Sequence, residues 1–282
     1  MASQVRTITF NRERFSRRII TVVLYIGVLL WLFPFFWMVI TALKDRSEIF
    51  LFPPTMIPRT ANLNAFRDAF HGISFYTTFA NSIFVSSAAV VLQCIVCSFA
   101  AYPLARMEFP GKDLIFMLII SSMMIPGSVT ITANFIILRR LGWIDTYYAL
   151  IIPFSASGLG IFLFRQFFRT IPNELEDAAK IDGCGRLRFL FSIMYPMSKP
   201  AFAAVAVFIW QSQWNQFLWP LIMTSSRSMW VIQVAISAFK DAWGTNHAEM
   251  MAAATFAALP PLILFAFLQK YFIQGIARTG LK

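Results

Sequence analysis

The sequence predicts an all-α protein that crosses a membrane about six times. Apolar residues fill 58% of the 282 positions and charged residues 13%, proportions under which a water-soluble domain would aggregate. The apolar residues gather in six long stretches, each near the roughly 20 residues a helix needs to span hydrocarbon. A formal charge of +11 suggests nucleic acid in a soluble chain, but beside membrane helices it marks the cytoplasmic side. The expected surroundings are a lipid bilayer, and nucleic acid is not an expected partner.

In chain order the expected spans are Ile19–Leu43, Thr77–Ala105, Leu114–Leu138, Tyr147–Phe164, Pro200–Met223 and Met250–Gln269. The first follows Arg17 and Arg18, yet its apolar stretch of 25 residues is too long for a signal peptide and lacks a small-residue cleavage site, so it stays as an anchor. Segment 44–76 carries the turn formers Pro53, Pro54, Pro58 and Asn62 and reads as an ordered cap or partner contact. With the N-terminus in the cytoplasm, 16 Lys and Arg fall on the inner side and 8 on the outer, so both termini are expected inside.

Prolines and glycines interrupt three of the spans: Pro126-Gly127 in the third, Pro153 with Ser155, Ser157, Gly158 and Gly160 in the fourth, and Pro260-Pro261 in the sixth. Such breaks free backbone groups that must face protein or a watery cavity, although simple kinks have the same signature. Asn81, Asn134, Gln211, Trp214, Asn215 and Gln216 form the candidate solute path. Amides both donate and accept hydrogen bonds, as sugar hydroxyls do, and Trp214 offers a stacking face. The alternative role for these groups is glue between helices.

Cys94 and Cys97 inside the second span read as small buried apolar side chains, and no metal site is expected. No G-x-x-x-x-G-K-[ST] occurs; the Gly111-Lys112 pair is followed by Asp113, which lacks the hydroxyl that holds magnesium. The chain is not expected to be an enzyme, nor to bind a cofactor itself.

One polar insert breaks the apolar pattern. Between Arg169 and Asp182 lie six charged side chains, flanked by spans on both sides. Asn173 as N-cap and Glu176 three residues on form a capping-box pattern, with Glu174, Glu176 and Asp177 at the positive end of the helix dipole. Gly183 supplies a left-handed end, and Leu175, Ala178, Ala179 and Asp182 share a face by their spacing. A second, apolar set, Leu187, Leu190, Phe191 and Met194, runs to Pro196. An interfacial helix is one reading, but its acidic first half would be repelled by an anionic leaflet. A docking element is the other.

The run Glu176-Asp177-Ala178-Ala179-Lys180-Ile181-Asp182-Gly183, with Ile193-Met194-Tyr195-Pro196 ten residues after the glycine, resembles the EAA loop of permease subunits in ATP-binding-cassette importers. Asp177 stands where that motif has glutamate, one methylene shorter, with Glu176 one place earlier. Further similarity lies in Asn81-Ser82, Ala100 to Arg106, Met124-Ile125-Pro126, Leu141-Gly142-Trp143, Trp214-Asn215-Gln216-Phe217 and Gln269 to Gly275. Together these resemble the carbohydrate-uptake, maltose-type branch of binding-protein-dependent inner-membrane components.

The resemblance implies a cytoplasmic coupling helix at about 173–183, within a coupling loop 168–199, whose contact residues are Leu175, Glu176, Asp177, Ala178, Ala179, Asp182 and Gly183. It implies a second homologous permease paired as a heterodimer, an ATPase dimer that binds ATP and Mg, and an extracytoplasmic solute-binding protein. The expected function is import of a sugar or oligosaccharide across a bacterial or archaeal cytoplasmic membrane by alternating access. Alternatives are a permease for another polar solute, such as a glycerol phosphate, or a secondary carrier not driven by ATP. The expected organisation is a cytoplasmic segment 1–18, a first span with outer loop 19–76, a permease core 77–270 and a cytoplasmic tail 271–282.

Overall fold

The computed structural model describes the backbone of residues 2–72, 74–241 and 244–279, and the side chains of 17–72, 74–240 and 246–267. Its helices, in chain order, are α1 (Ala2–Leu43), α2 (Arg46–Ile49), α3 (Asn64–Gly72), α4 (Phe75–Arg106), α5 (Lys112–Ser122), α6 (Gly127–Arg140), α7 (Tyr147–Ile151) and α8 (Gly158–Arg169). There follow α9 (Asn173–Ile181), α10 (Arg186–Phe189), α11 (Tyr195–Met197), α12 (Lys199–Trp214), α13 (Leu218–Met223), α14 (Ile232–Ser237) and α15 (His247–Thr279). A π-helical turn, Leu190–Met194, separates α10 from α11. The fold class is all-α as expected; a two-residue antiparallel ladder pairs Lys240 with Thr245 and Asp241 with Gly244.

Three helical segments are long and apolar enough to cross a membrane: Arg17–Leu43, Phe75–Arg106 and His247–Phe267. Three bent pairs raise the number to six if each is one span. The third expected span is not a rod, because α5 and α6 meet at 95°. Pro126 precedes α6, and its ring disfavours helical geometry at Ile125. The fourth bends by 43° between Phe154 and Gly158 and continues to Arg169, beyond the expected Phe164. Ser157 restarts it as an N-cap, its Oγ accepting from the Gly160 amide at 3.0 Å. The fifth stops at Trp214 rather than Met223, with α13 as a separate helix.

The sixth departs from expectation in the other direction, since α15 continues unbroken through Pro260 and Pro261. Pro261 has no N–H for the carbonyl of Ala257, four residues back, and the indole of Trp214 donates to that carbonyl instead, at 3.0 Å. The same substitution occurs at Pro153: the Trp219 indole donates to the carbonyl of Ala149 at 3.0 Å. The α15 backbone runs through much of the expected tail 271–282; residues 280–282 and the side chains of Gln269 to Gly275 lie outside the described residues.

The chain divides into two compact units. The first comprises the described residues of Met1–Ala69 and Phe239–Phe256. The segment after α1, residues 44–62, is ordered by polar groups, of which Lys44 and Glu48 are buried. Glu48 accepts from Thr55 Oγ1 at 2.6 Å and from the Arg59 amide at 3.1 Å, while Lys44 donates to the Thr55 carbonyl. Asp45 accepts from Thr60 and Asn62. The side chains of α1 from Ile19 to Phe36 leave a broad apolar surface exposed, as suits lipid or a partner helix.

The second unit comprises Phe70–Ala238 and the described residues of Ala257–Lys282, and α4 is its axis. Small residues Ala89, Cys97 and Ala101 line the buried side of α4, so α8 and α12 approach it closely. A Cβ on Gly160 would stand 2.9 Å from Cys97 Sγ. Cys94 and Cys97 are buried, and Cys97 Sγ accepts from the Ser157 amide at 3.4 Å. Phe164, Phe168, Leu190 and Met194 complete the core against Phe202, whose ring lies 4.6 Å from Phe164.

Trp214→Phe keeps the ring but leaves the Ala257 carbonyl without its donor, and should destabilise the protein by about 1–3 kcal/mol. Thermal unfolding in one detergent checks this, with Trp31→Phe on the exposed face of α1 as the unaffected control; equal melting of all three proteins would refute the donor role.

Candidate functional site

Two features outside the apolar core carry chemistry: the insert and a cavity between broken spans. The insert forms α9, and the C-terminus of that helix is a Schellman motif. Gly183 adopts φ +73°, its amide donates to the Lys180 carbonyl at 3.0 Å, and the Cys184 amide donates to Ala179 at 2.8 Å. Along the exposed flank Glu176 pairs with Lys180 at 3.3 Å and Asp177 with Lys180 at 3.5 Å. The hydrogen bond that Lys180 donates to Glu176, and the Glu176 charge, raise the Lys180 pKa.

The expected capping box is absent. Pro172 occupies the cap position and Asn173 is the first helical residue, with its Oδ1 accepting from Arg106 Nη1. The guanidinium of Arg106 has taken the oxygen that local sequence reserves for the backbone. Arg106 also donates to the carbonyls of Phe168, at 2.7 Å, and Ile171, and Glu176 lies 4.0 Å away. The end of α4 is thereby tied to the segment that enters α9.

The expected shared face divides. Leu175, Ala178 and Asp182 are exposed, as is Asp177 beside them, whereas Ala179 is 6% exposed and belongs to the chain's own core. A charge at Ala179 would therefore disrupt this chain before any docking surface. Ile181 is 87% exposed, an apolar side chain with no intramolecular reason to be there, and sequence spacing overlooked it.

The six solute-path candidates separate into three groups. Asn134 and Gln216 line one cavity of about 410 Å³ with Ser128, Thr130, Phe154 and Trp219, and no charged side chain among the described residues lines it. Gln211 and Asn215 are exposed one helical turn apart. Asn81 and Trp214 are structural: Asn81 donates to the carbonyls of Ser228 (2.8 Å) and Trp230 (3.0 Å) and accepts from Tyr147 (2.6 Å), while Trp214 stacks on Trp210 and donates to Ala257.

Sequence reasoning also missed three anchoring residues. Gln93 Nε2 donates to the Phe154 carbonyl at 2.9 Å, serving the break in the fourth span. Arg165 Nε donates to Leu104 at 3.1 Å, and a charge within a span is the signal that a longer fourth span would have given. Asp145, at φ +61°, accepts from the amides of Ser225 (2.8 Å) and Ser226 (3.0 Å), joining two loops.

Bent apolar spans around an uncharged polar cavity, with an exposed amphipathic helix set between two of them, define a multi-pass membrane permease component. The chain belongs to the family of binding-protein-dependent transport system inner membrane components, whose pattern it matches over residues 93–278. It is 35% identical over 257 residues to the arabinooligosaccharides transport system permease protein AraQ of Bacillus subtilis (strain 168), covering 90% of this chain and 92% of that protein. It is equally 35% identical over 263 residues to the sn-glycerol-3-phosphate transport system permease protein UgpE of Yersinia pestis bv. Antiqua (strain Antiqua), covering 90% and 94%. Its fold matches a chain of a bacterial ABC transporter involved in the import of the acidic polysaccharide alginate, with a TM-score of 0.80 at 23% identity over 92% of this chain and 97% of that one.

Burial raises the Asp145 pKa, but the Ser226 and Ser225 amides outweigh it and hold the carboxyl below its ordinary value. Its contribution to stability is thus present above the unfolded value of about 3.9 and is lost as pH falls through the lower folded value. Asp145→Asn should lower the melting temperature at neutral pH and flatten the acid limb of the profile, the two proteins converging at low pH; an unaltered acid limb would refute the link.

Proposed function

We propose that the chain is the permease subunit of an importer driven by a separate ATPase dimer, with α9 as its cytoplasmic coupling helix. The observation that carries this reading is α9 itself: a capped helix whose entry is clamped by Arg106 and whose Leu175, Ala178, Ile181 and Asp182 face outward. A helix fixed at its base and apolar at its exposed tip can receive a rigid-body push from a docked subunit and pass it to α4 and α8. Asp177 and Glu176 would supply the charges at that contact. Gly183 contributes the left-handed exit, and Ala179 the anchorage in the core. ATP and Mg belong to the partner, and the chain itself binds no cofactor.

The excess of Lys and Arg in 1–18, 106–113, 165–199 and 270–282 supports an orientation with both termini and α9 in the cytoplasm. On that orientation 1–18 and 271–282 are cytoplasmic, 19–76 is the first span with its outer cap, and 77–270 is the permease core. A second homologous permease would cover apolar surface on α5 and α6, where Leu114, Met117, Leu118 and Val129 are exposed. An extracytoplasmic solute-binding protein would deliver the solute. One solved relative of the fold is described in complex with a pentasaccharide-bound periplasmic protein.

A sugar or oligosaccharide is the proposed solute. The uncharged lining of the Asn134–Gln216 cavity favours hydroxyl groups over a phosphate ester, although one relative is named for glycerol phosphate. Coupling and solute contact separate experimentally. Ala178→Asp should leave the chain inserted but reduce co-purification of a P-loop ATPase at least about tenfold, the effect of an unpaired charge buried in a contact. Retention of the ATPase at the wild-type level would remove α9 as the docking element. Gln216→Ala should raise KM for uptake with ATPase binding unchanged; an unchanged KM would place the solute elsewhere.

A further inference from the structure

A second cavity, of about 420 Å³, lies where α4 and α8 end and α5 begins, and the transport reading gives it no role. Among the described residues its charged lining is unbalanced, with four cations, Arg106, Lys112, Arg165 and Arg169, against two carboxylates, Glu108 and Asp113. Glu108 already holds Lys112 at 2.9 Å, and Arg106 is committed to Asn173, Phe168 and Ile171. Arg165 is different. It is 7% exposed, its guanidinium stacks 3.9 Å over the Phe116 ring, and Nε donates to Leu104, yet its Nη amines make no hydrogen bond among the described residues. Arg169, one helical turn on, forms no hydrogen bond or ion pair among the described residues. Arg106 Nε is buried without an acceptor as well.

Two arginines one turn apart, one of them buried, repel each other, and the one carboxylate whose charge acts on Arg165, that of Asp113, leaves the pair with excess positive charge. The free donors enter from two helices, α4 and α8. Such a set suits the tetrahedral oxygens of a phosphate, and guanidinium forks bind these in pairs. We propose that this cavity binds a phosphate group, presented either by an anionic phospholipid headgroup or as free inorganic phosphate. Its depth, at the ends of membrane helices, is that of a headgroup layer, where basic pockets between helices hold anionic lipid. The inference does not depend on the transported solute or on ATPase docking.

The test uses the full chain, with whatever subunits accompany it, delipidated in neutral detergent. Dioleoylphosphatidylglycerol or dioleoylphosphatidylcholine is added and bound lipid is counted by native mass spectrometry; inorganic phosphate is titrated separately and followed by 31P NMR line width. Arg169→Gln is the principal variant, since Arg169 is exposed and its loss removes no internal contact; Arg139→Gln, outside the cavity, is the control. Preferential retention of phosphatidylglycerol that resists millimolar phosphate and falls at least about tenfold in Arg169→Gln alone supports the lipid source. Line broadening by phosphate that vanishes in Arg169→Gln, with displacement of the lipid, supports the soluble source. Equal retention of both lipids, or the same binding in Arg169→Gln as in wild type, together with no Arg169-dependent broadening, overturns the proposal.

Discussion

Lipid cannot hydrogen-bond a freed backbone carbonyl, so each interruption in a membrane helix has to be repaired by a side chain from elsewhere in the protein. The second unit is organised around these repairs. Trp214 and Trp219 each supply an indole N–H to a carbonyl that a proline leaves without a partner, and Gln93 serves the carbonyl of Phe154 at the break in the fourth span. At the helix ends the exchange is reciprocal: Arg165 of α8 caps Leu104 in α4, and Arg106 of α4 caps Phe168 in α8. Both arginines also place positive charge at helix C-termini, where the dipole favours it. Because each donor comes from a different helix, the breaks can persist only while the helices stay packed.

That dependence gives the fold its mechanical character. The rigid α4–α8 pair, close-packed at Cys97 and Gly160, holds the entry to α9 through the Arg106 fork. The helices are interrupted at the 95° turn before α6, the 78° turn at Ser198 and the π-helical turn between α10 and α11. Such turns are where helices most readily change angle. A displacement of α9 would reach α12 through this jointed segment and reach α4 through the arginine clamp. The uncharged cavity with Asn134 and Gln216 lies beside the 95° turn, so movement there would change its access.

Much of this was legible in the sequence where the cause is local. Apolar stretches located the spans, Pro126 and Pro153 located two of the bends, and Gly183 located the end of α9, since a left-handed residue acts through its own backbone. What failed depended on partners distant in sequence. Pro260 and Pro261 read as a break because Trp214, on another helix, is invisible to a local pattern. Asn173 read as a cap because Arg106, at the end of α4, claims its oxygen. Asn81 and Trp214 show the same dependence: an amide or indole in a span signals a hydrogen bond, and the fold supplies backbone partners for both. Ala179 shares its periodicity with Leu175 and Asp182, but helical spacing alone does not say how far the buried stripe extends.

The central claim is that the exposed surface of α9 seats an ATP-hydrolysing subunit. A photo-crosslinking amino acid placed at Ile181, with a second at buried Phe189 as the negative control, tests it in native membranes under ATP and nucleotide-free conditions. Cross-linking from Ile181 to a P-loop ATPase, with a yield that changes with nucleotide, is the expected result. Labelling of lipid alone from Ile181, in membranes that retain ATP-dependent uptake, would contradict it and make α9 an interfacial helix.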